Sequence, residues 1–465
     1  MILTVITPII VASLIGVFYN KRKGFWLTLA SIAFLLNIAF CLYFLLHNSL
    51  PIIYNLGQWG ERLGIVLIFS QVTVTLNLVW NFLFLAILCY CHGENKNNDY
   101  KFYMLIMVML FAISGWTVTD DLYNMFVFIE IVSIISYALV AYRRSKESLE
   151  ASLKYLFTGA ISSILVLLAI LIIHFSTGEL NIGLAMGKFS KVDLTVQFIT
   201  WGMLLTGFLS KAGSAPMHFW LPDAHASAMT GVSALLSGIV IKLSIVSLYK
   251  LMDASSFIPK LDQTITTITF IIGGLSIVLG HLVAYRQTSI KRLLAYSSIA
   301  QIGYIIMGLS YSVSSKAGAL FHTLNHAMLK SALFFSAGIL VKYKNSLEIE
   351  DMRGTGRKNP FASAIFTIAA LGIIGIPPLN GFSSKWALMK GLLAEQFILI
   401  SFLIPLGTIL AVLYYVKILI VIFDKKTKLP DIRFSRLKAI TLSLILFGII
   451  STSIFAPLIL SLFGA

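Results

Sequence analysis

Residues 208–225 read FLSKAGSAPMHFWLPDAH. They close an apolar run that begins near residue 195, yet they hold a lysine, two prolines, two histidines and an aspartate. Proline removes a backbone donor and blocks helix continuation. Pro216 and Pro222, with Gly213 before them, therefore predict a broken helix just past Lys211. Whether that break lies at a surface or deep inside the protein depends on what the rest of the chain builds.

The chain has 465 residues, 58% hydrophobic and only 12% charged, against about 25% charged in soluble proteins. Its mean hydropathy of +0.91 comes from repeated apolar blocks, many close to the length of about 20 residues that a helix needs to cross a core of about 30 Å. The fold class is an all-α polytopic membrane protein, a single membrane domain over 1–465. Fourteen spans are expected, at 2–18, 24–46, 68–91, 102–119, 121–142, 153–175, 195–211, 228–251, 263–283, 294–311, 316–341, 361–381, 398–423 and 437–462. The first lacks a basic leader and a small-residue cleavage site, and Lys21, Arg22 and Lys23 come after it. It is read as an uncleaved span with its N-terminus outside.

The net charge of +16 invites a nucleic-acid reading, but its distribution excludes one. Connections after odd-numbered spans hold most of the lysines and arginines, including RRSK at 143–146 and the run at 342–358. That is the positive-inside pattern, so these connections are expected to be cytoplasmic and both termini outside. The three cysteines, Cys41, Cys89 and Cys91, sit in apolar surroundings without a paired-cysteine or haem-attachment pattern. No cofactor or metal site is legible; the HxxxH spacing of His322 and His326 lacks a nearby carboxylate or cysteine ligand.

Several ionisable residues remain at membrane depth. Glu130 lies in DLYNMFVFIEIVSIISYALVAY, roughly 12–14 Å in from the start of its helix. Lys211 closes the seventh span, Lys242 is central to VSALLSGIVIKLSIVSLYK, and Lys385 follows IPPLNGFSS. His322, His326 and Lys330 share one helix face at i, i+4, i+8 spacing. Each such charge costs about 2.5–3.5 kcal/mol on insertion scales. Ion pairs holding helices together cannot account for the set, because five basic groups share one obvious acidic partner. Pro377–Pro378 with Gly381 predict a second broken helix just before Lys385. Corresponding interruptions in two halves point to inverted repeats with a site near the midplane.

A Glu–Lys pair at about 4 Å interacts by about 4 kcal/mol at an effective dielectric near 20. Moving one charge through 100 mV takes about 2.3 kcal/mol. Opening and closing one such contact is on the scale needed to load and release a proton. The residues therefore predict a lateral relay of Glu130, Lys211, Lys242, His326 and Lys385.

With these residues in place, the chain resembles the antiporter-like membrane subunits shared by Mrp cation/proton antiporters, respiratory NADH–quinone oxidoreductases and energy-converting membrane-bound hydrogenases. The stretches that carry the likeness are DLYNMFVFIEIVSIISYALV, KAGSAPMHFWLPDAHASA, VSALLSGIVIK, KRLLAYSSIAQIGY, FHTLNHAMLKSALFF and GIPPLNGFSSKW, within about 100–425. The resemblance implies helices 1–3 at 1–101, a first five-helix repeat at 102–251, an inverted second at 263–423, helix 14 at 437–462, and discontinuous helices 7 and 12. It places the family's proton-pathway residues at Glu130, Lys211, Lys242, His326 and Lys385. It also implies partner membrane subunits, protons and sodium as the transported ions, and a prokaryotic cell membrane as the location.

Lysine at 385 looks like the Mrp D-type component and the quinone-proximal respiratory one. Gln301 stands where several relatives place a histidine, so proton transfer there is expected to need water. After His225 the chain runs ASAMTGVSAL where relatives usually have two prolines, so Met229 and Gly231 are expected to loosen that turn. His218, Asp223 and His225 are read either as proton-path groups or as pins of the connector, and Lys330 as an internal ion-pair partner or a relay element. Two functions compete: one component of a monovalent cation/proton antiporter, and a proton- or sodium-pumping component of a redox complex. A solute permease would show an aromatic and polar recognition pocket, and a structural anchor would not carry so many costly charges.

Overall fold

The computed structural model describes residues 1–464 except 22, 48–49, 61–63, 93, 95–98, 256–258, 310–312, 425–428, 431 and 433; Arg22 of the first basic cluster lies outside the described residues. Four helices come first, α1 (Ile2–Val17), α2 (Lys23–Leu46), α3 (Gln71–His92) and α4 (Tyr100–Val118). They are followed by α5 (Leu122–Val140), α6 (Lys146–Thr177), α7 (Ile182–Phe189), α8 (Leu194–Lys211), α9 (Trp220–Ser227), α10 (Thr230–Leu235) and α11 (Ile241–Ser255). The remainder comprises α12 (Pro259–Tyr285), α13 (Ile290–Leu309), α14 (Val313–Leu340), α15 (Thr355–Lys358), α16 (Pro360–Ile374), α17 (Asn380–Ala394), α18 (Ile398–Ser401), α19 (Leu403–Ile422), α20 (Arg436–Ile454) and α21 (Ala456–Leu462).

Among the described residues, eleven helical segments are long and apolar enough to cross a membrane. The other three expected spans correspond to α1 and α16, which are shorter apolar helices, and to α8, which stops at Lys211. Helix starts follow their capping residues: Asp121 accepts from the backbone N–H of Asn124, and Ser145 with Ser148 forms a capping box that begins α6 seven residues before the expected span.

Two elements were not expected. An antiparallel pair, β1 (Ile52–Asn55) and β2 (Val66–Phe69), places Ile52 opposite Phe69 and Asn55 opposite Val66. It takes up the first residues assigned to the third span, and Asp120 N–H donates to its Val66 carbonyl at 2.9 Å. The chain is thus nearly, not wholly, helical. Helix α7 lies in the connection between the sixth and seventh spans.

The bundle has a polar interior. α13 and α14 are the least apolar of the eleven segments, with mean hydropathies of 1.2 and 1.3 against 2.7 for α6, yet they are almost completely buried while α6 is largely exposed. Lipid-facing helices need only apolar side chains, so the polar residues collect where helices meet. α12 and α13 approach closely through small residues: a Cβ on Gly280 would fall 2.5 Å from the Ala300 nitrogen, and one on Gly303 would fall 2.5 Å from the Gly273 carbonyl oxygen.

Both predicted breaks are present. α8 ends at Lys211, and Gly213 turns the chain at φ +68°. Ser214 Oγ then donates back to Leu209 O at 2.9 Å, Ala215 N–H donates to Ser276 Oγ of α12 at 3.0 Å, and Trp220 Nε1 donates to Ser210 O at 3.0 Å. Trp220 also stacks on Tyr155 at 4.0 Å. α16 ends in the same way at Gly375, with φ +97°, a helix-terminating conformation that glycine adopts without a Cβ penalty. Asn380 opens α17 and anchors it to α20, through its N–H to Ser453 Oγ at 2.9 Å and its amide to Thr452 Oγ1 at 2.8 Å.

The turn after His225 is tightly packed, contrary to expectation. Gly231 is buried with its Cβ position 2.0 Å from Cys91 Sγ, and Lys291 Nζ donates to Ala228 O at 2.7 Å. Close helix contact, not looseness, is what a glycine supplies here.

The α12–α13 contact gives a stability prediction. Gly280→Ala should lower the melting temperature of the purified protein in detergent, at a cost of about 1–3 kcal/mol for overpacking against backbone. Gly202→Ala, whose new methyl would meet nothing within 4 Å, should be neutral or gain up to about 1 kcal/mol from helix propensity. Equal melting shifts would contradict this packing.

Candidate functional site

The site is built at the two breaks. A half-helix that stops inside a bundle exposes carbonyl groups with no intrahelical partner, and its C-terminal end is negative. Each break holds a lysine there. Lys211 is the last residue of α8, and its Nζ donates to Ser133 Oγ at 2.9 Å and lies 3.8 Å from Glu130 Oε1. Glu130 and Ser133 are one helical turn apart on α5, so both present to α8. Lys385, one turn into α17, folds back over the end of α16. Its Nζ donates to the carbonyls of Ile373 and Ile374 at 3.1 and 2.9 Å, with Thr408 Oγ1 of α19 at 3.4 Å and the Tyr304 ring centroid at 4.8 Å.

The two lysines differ in their counter-charge. Lys211 has a carboxylate, whereas among the described residues Lys385 is held by neutral oxygens and a ring face alone. The Glu130 side chain is one-third exposed while that of Lys211 is 8% exposed, so the pair sits at the rim of the bundle with its acid outward. A cavity of about 20 Å³ lies beside Lys211, lined by Trp116, Ser133, Ser210, Val240 and Ser244, room for about one water. It reaches the helical turn that carries Lys242.

That turn is irregular. Over Leu236–Val240 the helix widens to π geometry between α10 and α11. Such bulges free a carbonyl and recur at functional sites. Lys242, fully buried, donates to the Ser237 carbonyl of this stretch. Ser237 Oγ in turn contacts Ser298 Oγ of α13 at 2.8 Å, and Gly238 lets the bulge press against Ser331 of α14.

In the second half, His322 is fully engaged, with Nδ1 2.8 Å from Ser384 Oγ and Nε2 2.9 Å from Gln301 Oε1. Gln301 thus makes a direct hydrogen bond to the relay face. His326, one turn on, is buried with neither ring nitrogen hydrogen-bonded, and its ring stacks with that of His322 at 6.4 Å. Lys330 donates to Leu294 O at 2.9 Å and to Ser297 Oγ. Its expected ion pair is not found among the described residues, because α13 supplies enough neutral oxygens to satisfy the ammonium.

The structure brings Glu130 and Lys211 together, and Gln301 with His322. Lys242 and His326 touch no other member of the predicted set through a hydrogen bond. His218 is half-buried and stacked on Phe219 at 4.9 Å. His225 is buried against Phe334 at 5.0 Å, with both ring nitrogens unpartnered. Asp223 is clamped by Lys154 at 3.1 Å and by Arg292 beside a cavity of about 360 Å³ at the end of the bundle where odd-numbered connections gather. Sequence reasoning missed the buried Lys291 and also His281, which lies between Tyr414 and Tyr304 at 3.1 Å to each hydroxyl. A lone histidine inside the apolar run 263–283 was the available signal.

Residues 119–411 match the protein family described as NADH:quinone oxidoreductase/Mrp antiporter, TM. The chain is 31% identical over 449 residues to the N component of the NADH-quinone oxidoreductase of Desulforudis audaxviator, covering 94% of this chain and 88% of that one. It is 30% identical over 416 residues to the D component of the Na(+)/H(+) antiporter of Alkalihalophilus pseudofirmus, covering 87% and 83%. A chain of the membrane-bound sulfane sulfur reductase, an archaeal respiratory membrane complex, superposes with a TM-score of 0.91 at 27% identity over 99% of this chain and 95% of that one. A chain of the Mrp complex from Dietzia sp. DQ12-45-1b shares the fold, with a TM-score of 0.90 at 21% identity over 99% and 96%. The length of the match and the two identities above establish that this chain belongs to the NADH:quinone oxidoreductase/Mrp antiporter family of membrane proteins.

Proposed function

We propose that this chain is a proton-translocating member of a multi-subunit complex in a prokaryotic cell membrane, moving protons along the line Glu130, Lys211, Lys242, His326 and Lys385. The observation that carries the reading is the Glu130–Lys211 contact at a helix break. At 3.8 Å it is an ion pair without a hydrogen bond, so a small swing of the lysine stem opens it toward the cavity beside the Lys242 turn. The outward-facing Glu130 supports neighbouring membrane subunits, since a carboxylate at this depth facing lipid alone is costly.

The proposed coupling is Mrp-type exchange of a monovalent cation, sodium, for protons. The likeness to the D component of a Na(+)/H(+) antiporter supports it. A second reading, a pump powered by electron transfer in partner subunits, is supported by the similarity to the N component of NADH-quinone oxidoreductase and to the sulfane sulfur reductase. Gentle purification of the tagged protein with mass spectrometry of its partners separates the two. Small membrane subunits without iron–sulfur or nickel proteins support exchange, while iron–sulfur, nickel or flavin subunits support the redox-driven pump. The positive-inside pattern further supports both termini outside, which cysteine labelling from each side of sealed vesicles would test.

Two mutational predictions follow from the contacts. Lys211→Ala and Glu130→Ala should each abolish proton translocation by the reconstituted complex while the protein still inserts. Wild-type rates in both would end the relay reading. Gly375→Ala would place a methyl 3.1 Å from Lys385 Cδ at a backbone of φ +97°, displacing the ammonium from Ile373 and Ile374. Translocation should fall by at least about 10-fold, a loss of about 1.4 kcal/mol in barrier terms. An unchanged rate would show that the α16 carbonyls do not hold the working lysine.

A further inference from the structure

Resting on the proton-translocation reading, a second connection into Lys385 emerges from the buried residues of α12, α13 and α19. Among the described residues neither ring nitrogen of His326 has a hydrogen-bond partner. A branch of buried hydroxyls and one imidazole runs beside it, hydrogen-bonded from Lys330 to Tyr415 and from Tyr414 to Tyr304. Lys330 donates to Ser297 Oγ, and Ser297 Oγ lies 3.0 Å from the hydroxyl of Tyr415, whose ring packs against that of Tyr414 at 4.7 Å. The Tyr414 hydroxyl is 3.1 Å from His281 Nδ1, and His281 Nε2 is 3.1 Å from the Tyr304 hydroxyl. The Tyr304 ring then carries the Lys385 ammonium on its face at 4.8 Å. His281, Tyr304, Tyr414 and Tyr415 are all fully or almost fully buried.

The packing around this branch is specific. A Cβ on Gly407 of α19 would fall 1.9 Å from the Tyr304 hydroxyl oxygen and 3.0 Å from His281 Nε2. The absence of a side chain at 407 is what leaves room for the histidine–tyrosine contact. A buried imidazole needs a partner at each ring nitrogen, and here the partners are hydroxyls that can themselves give or take a proton. Here both are engaged, by hydroxyls from two different helices.

We infer that His281 is a proton-transfer group linking Lys330 to Lys385 through Ser297, Tyr414 and Tyr304, in parallel with the His322–His326 face. The Lys330 ammonium gives a proton to the Ser297 oxygen, and the hydroxyl proton of Ser297 passes to the Tyr414 oxygen once the serine hydroxyl turns from Tyr415 to its neighbour Tyr414. Tyr414 gives its own proton to Nδ1 of His281, while the proton on Nε2 passes to the Tyr304 oxygen. The displaced Tyr304 hydroxyl proton goes to a neutral Lys385 amine, which must turn from the ring face to the hydroxyl edge to take it. One proton is transferred, no electrons move, Lys330 ends neutral and Lys385 ends as an ammonium. The imidazole finishes in its other tautomer and resets when the ring turns over.

The test uses the intact complex in proteoliposomes, with lumenal pH read by an entrapped dye and Lys211→Ala as a control for the underlying reading. His281→Ala should slow translocation by about 2-fold or more, well short of the roughly 10²–10⁴-fold of a lone acid–base group, because the His322–His326 face remains as a second route. Added imidazole and methylimidazoles should restore the rate in an order that follows their basicity, which a purely structural histidine would not produce. Tyr304→Phe, which removes only the hydroxyl, should slow translocation similarly. That variant keeps the inference testable if His281→Ala fails to assemble. Wild-type rates in Tyr304→Phe or His281→Ala alongside an inactive Lys211→Ala would overturn the branch and leave the main relay standing. A slow His281→Ala that is not rescued, or is rescued regardless of base strength, would also overturn it and make His281 a packing residue. An active Lys211→Ala would instead remove the reading on which the branch rests.

Discussion

A charged ammonium in an apolar bundle must find oxygens, and the chain supplies them by stopping helices early. The last carbonyls of α8 are met by the N–H groups of Ala212, Gly213, Ser214 and Trp220, so Lys211 turns to Ser133 and Glu130 of α5. At the end of α16, in contrast, the Ile373 and Ile374 carbonyls are left for an ammonium. Lys211 closes the first of these ends, and Lys385 reaches over the second to Ile373 and Ile374. The prolines, the positive-φ glycines at 213 and 375 and the anchors to Ser276 and Ser453 all keep these ends in place. If α16 continued, its carbonyls would be used internally and Lys385 would have to leave or lose its charge. The same solution appears at Lys242, where a π-widened turn frees the Ser237 carbonyl.

This constraint explains why the two least apolar of the long helices, α13 and α14, are almost completely buried. α13 and α14 carry Gln301, Ser297, Ser298, His322, His326 and Lys330, and each polar group needs neighbours. Serines, tyrosines and backbone carbonyls provide most of them. Among the described residues, only Lys211 of the lysines in the predicted relay meets a carboxylate, and its contact is long. Neutral oxygens satisfy an ammonium without locking it as an ion pair would, which suits groups proposed to exchange protons. The clamps at the bundle ends differ: Asp223 with Lys154 and Arg292, and Glu94 with Lys342 and Lys438, use opposite charges to fasten connectors to the helices.

Close packing and polar contact support each other. Gly280 and Gly303 bring α12 onto α13, which places His281 beside Tyr304. Gly407 lets α19 approach the same pair. A bundle held apart by larger residues would leave these hydroxyls out of reach of the imidazole.

The sequence by itself determined the membrane class, the approximate spans, the two breaks and the five residues at depth, because apolar run length, proline chemistry and the cost of buried charge are local properties. It misjudged the four-residue strands, which are too short to register between spans, and the turn at Gly231, whose reason for being glycine is Cys91 on another helix. It could not assign partners to Lys330, Lys242 or Lys385, since these are carbonyls and hydroxyls brought in from elsewhere in the chain or freed by a distorted turn. His281 was visible only as one histidine in an apolar run. Tertiary structure alone decided that it meets two tyrosines, because hydrogen-bond partners across helices depend on packing distance and rotation, which a linear pattern does not encode.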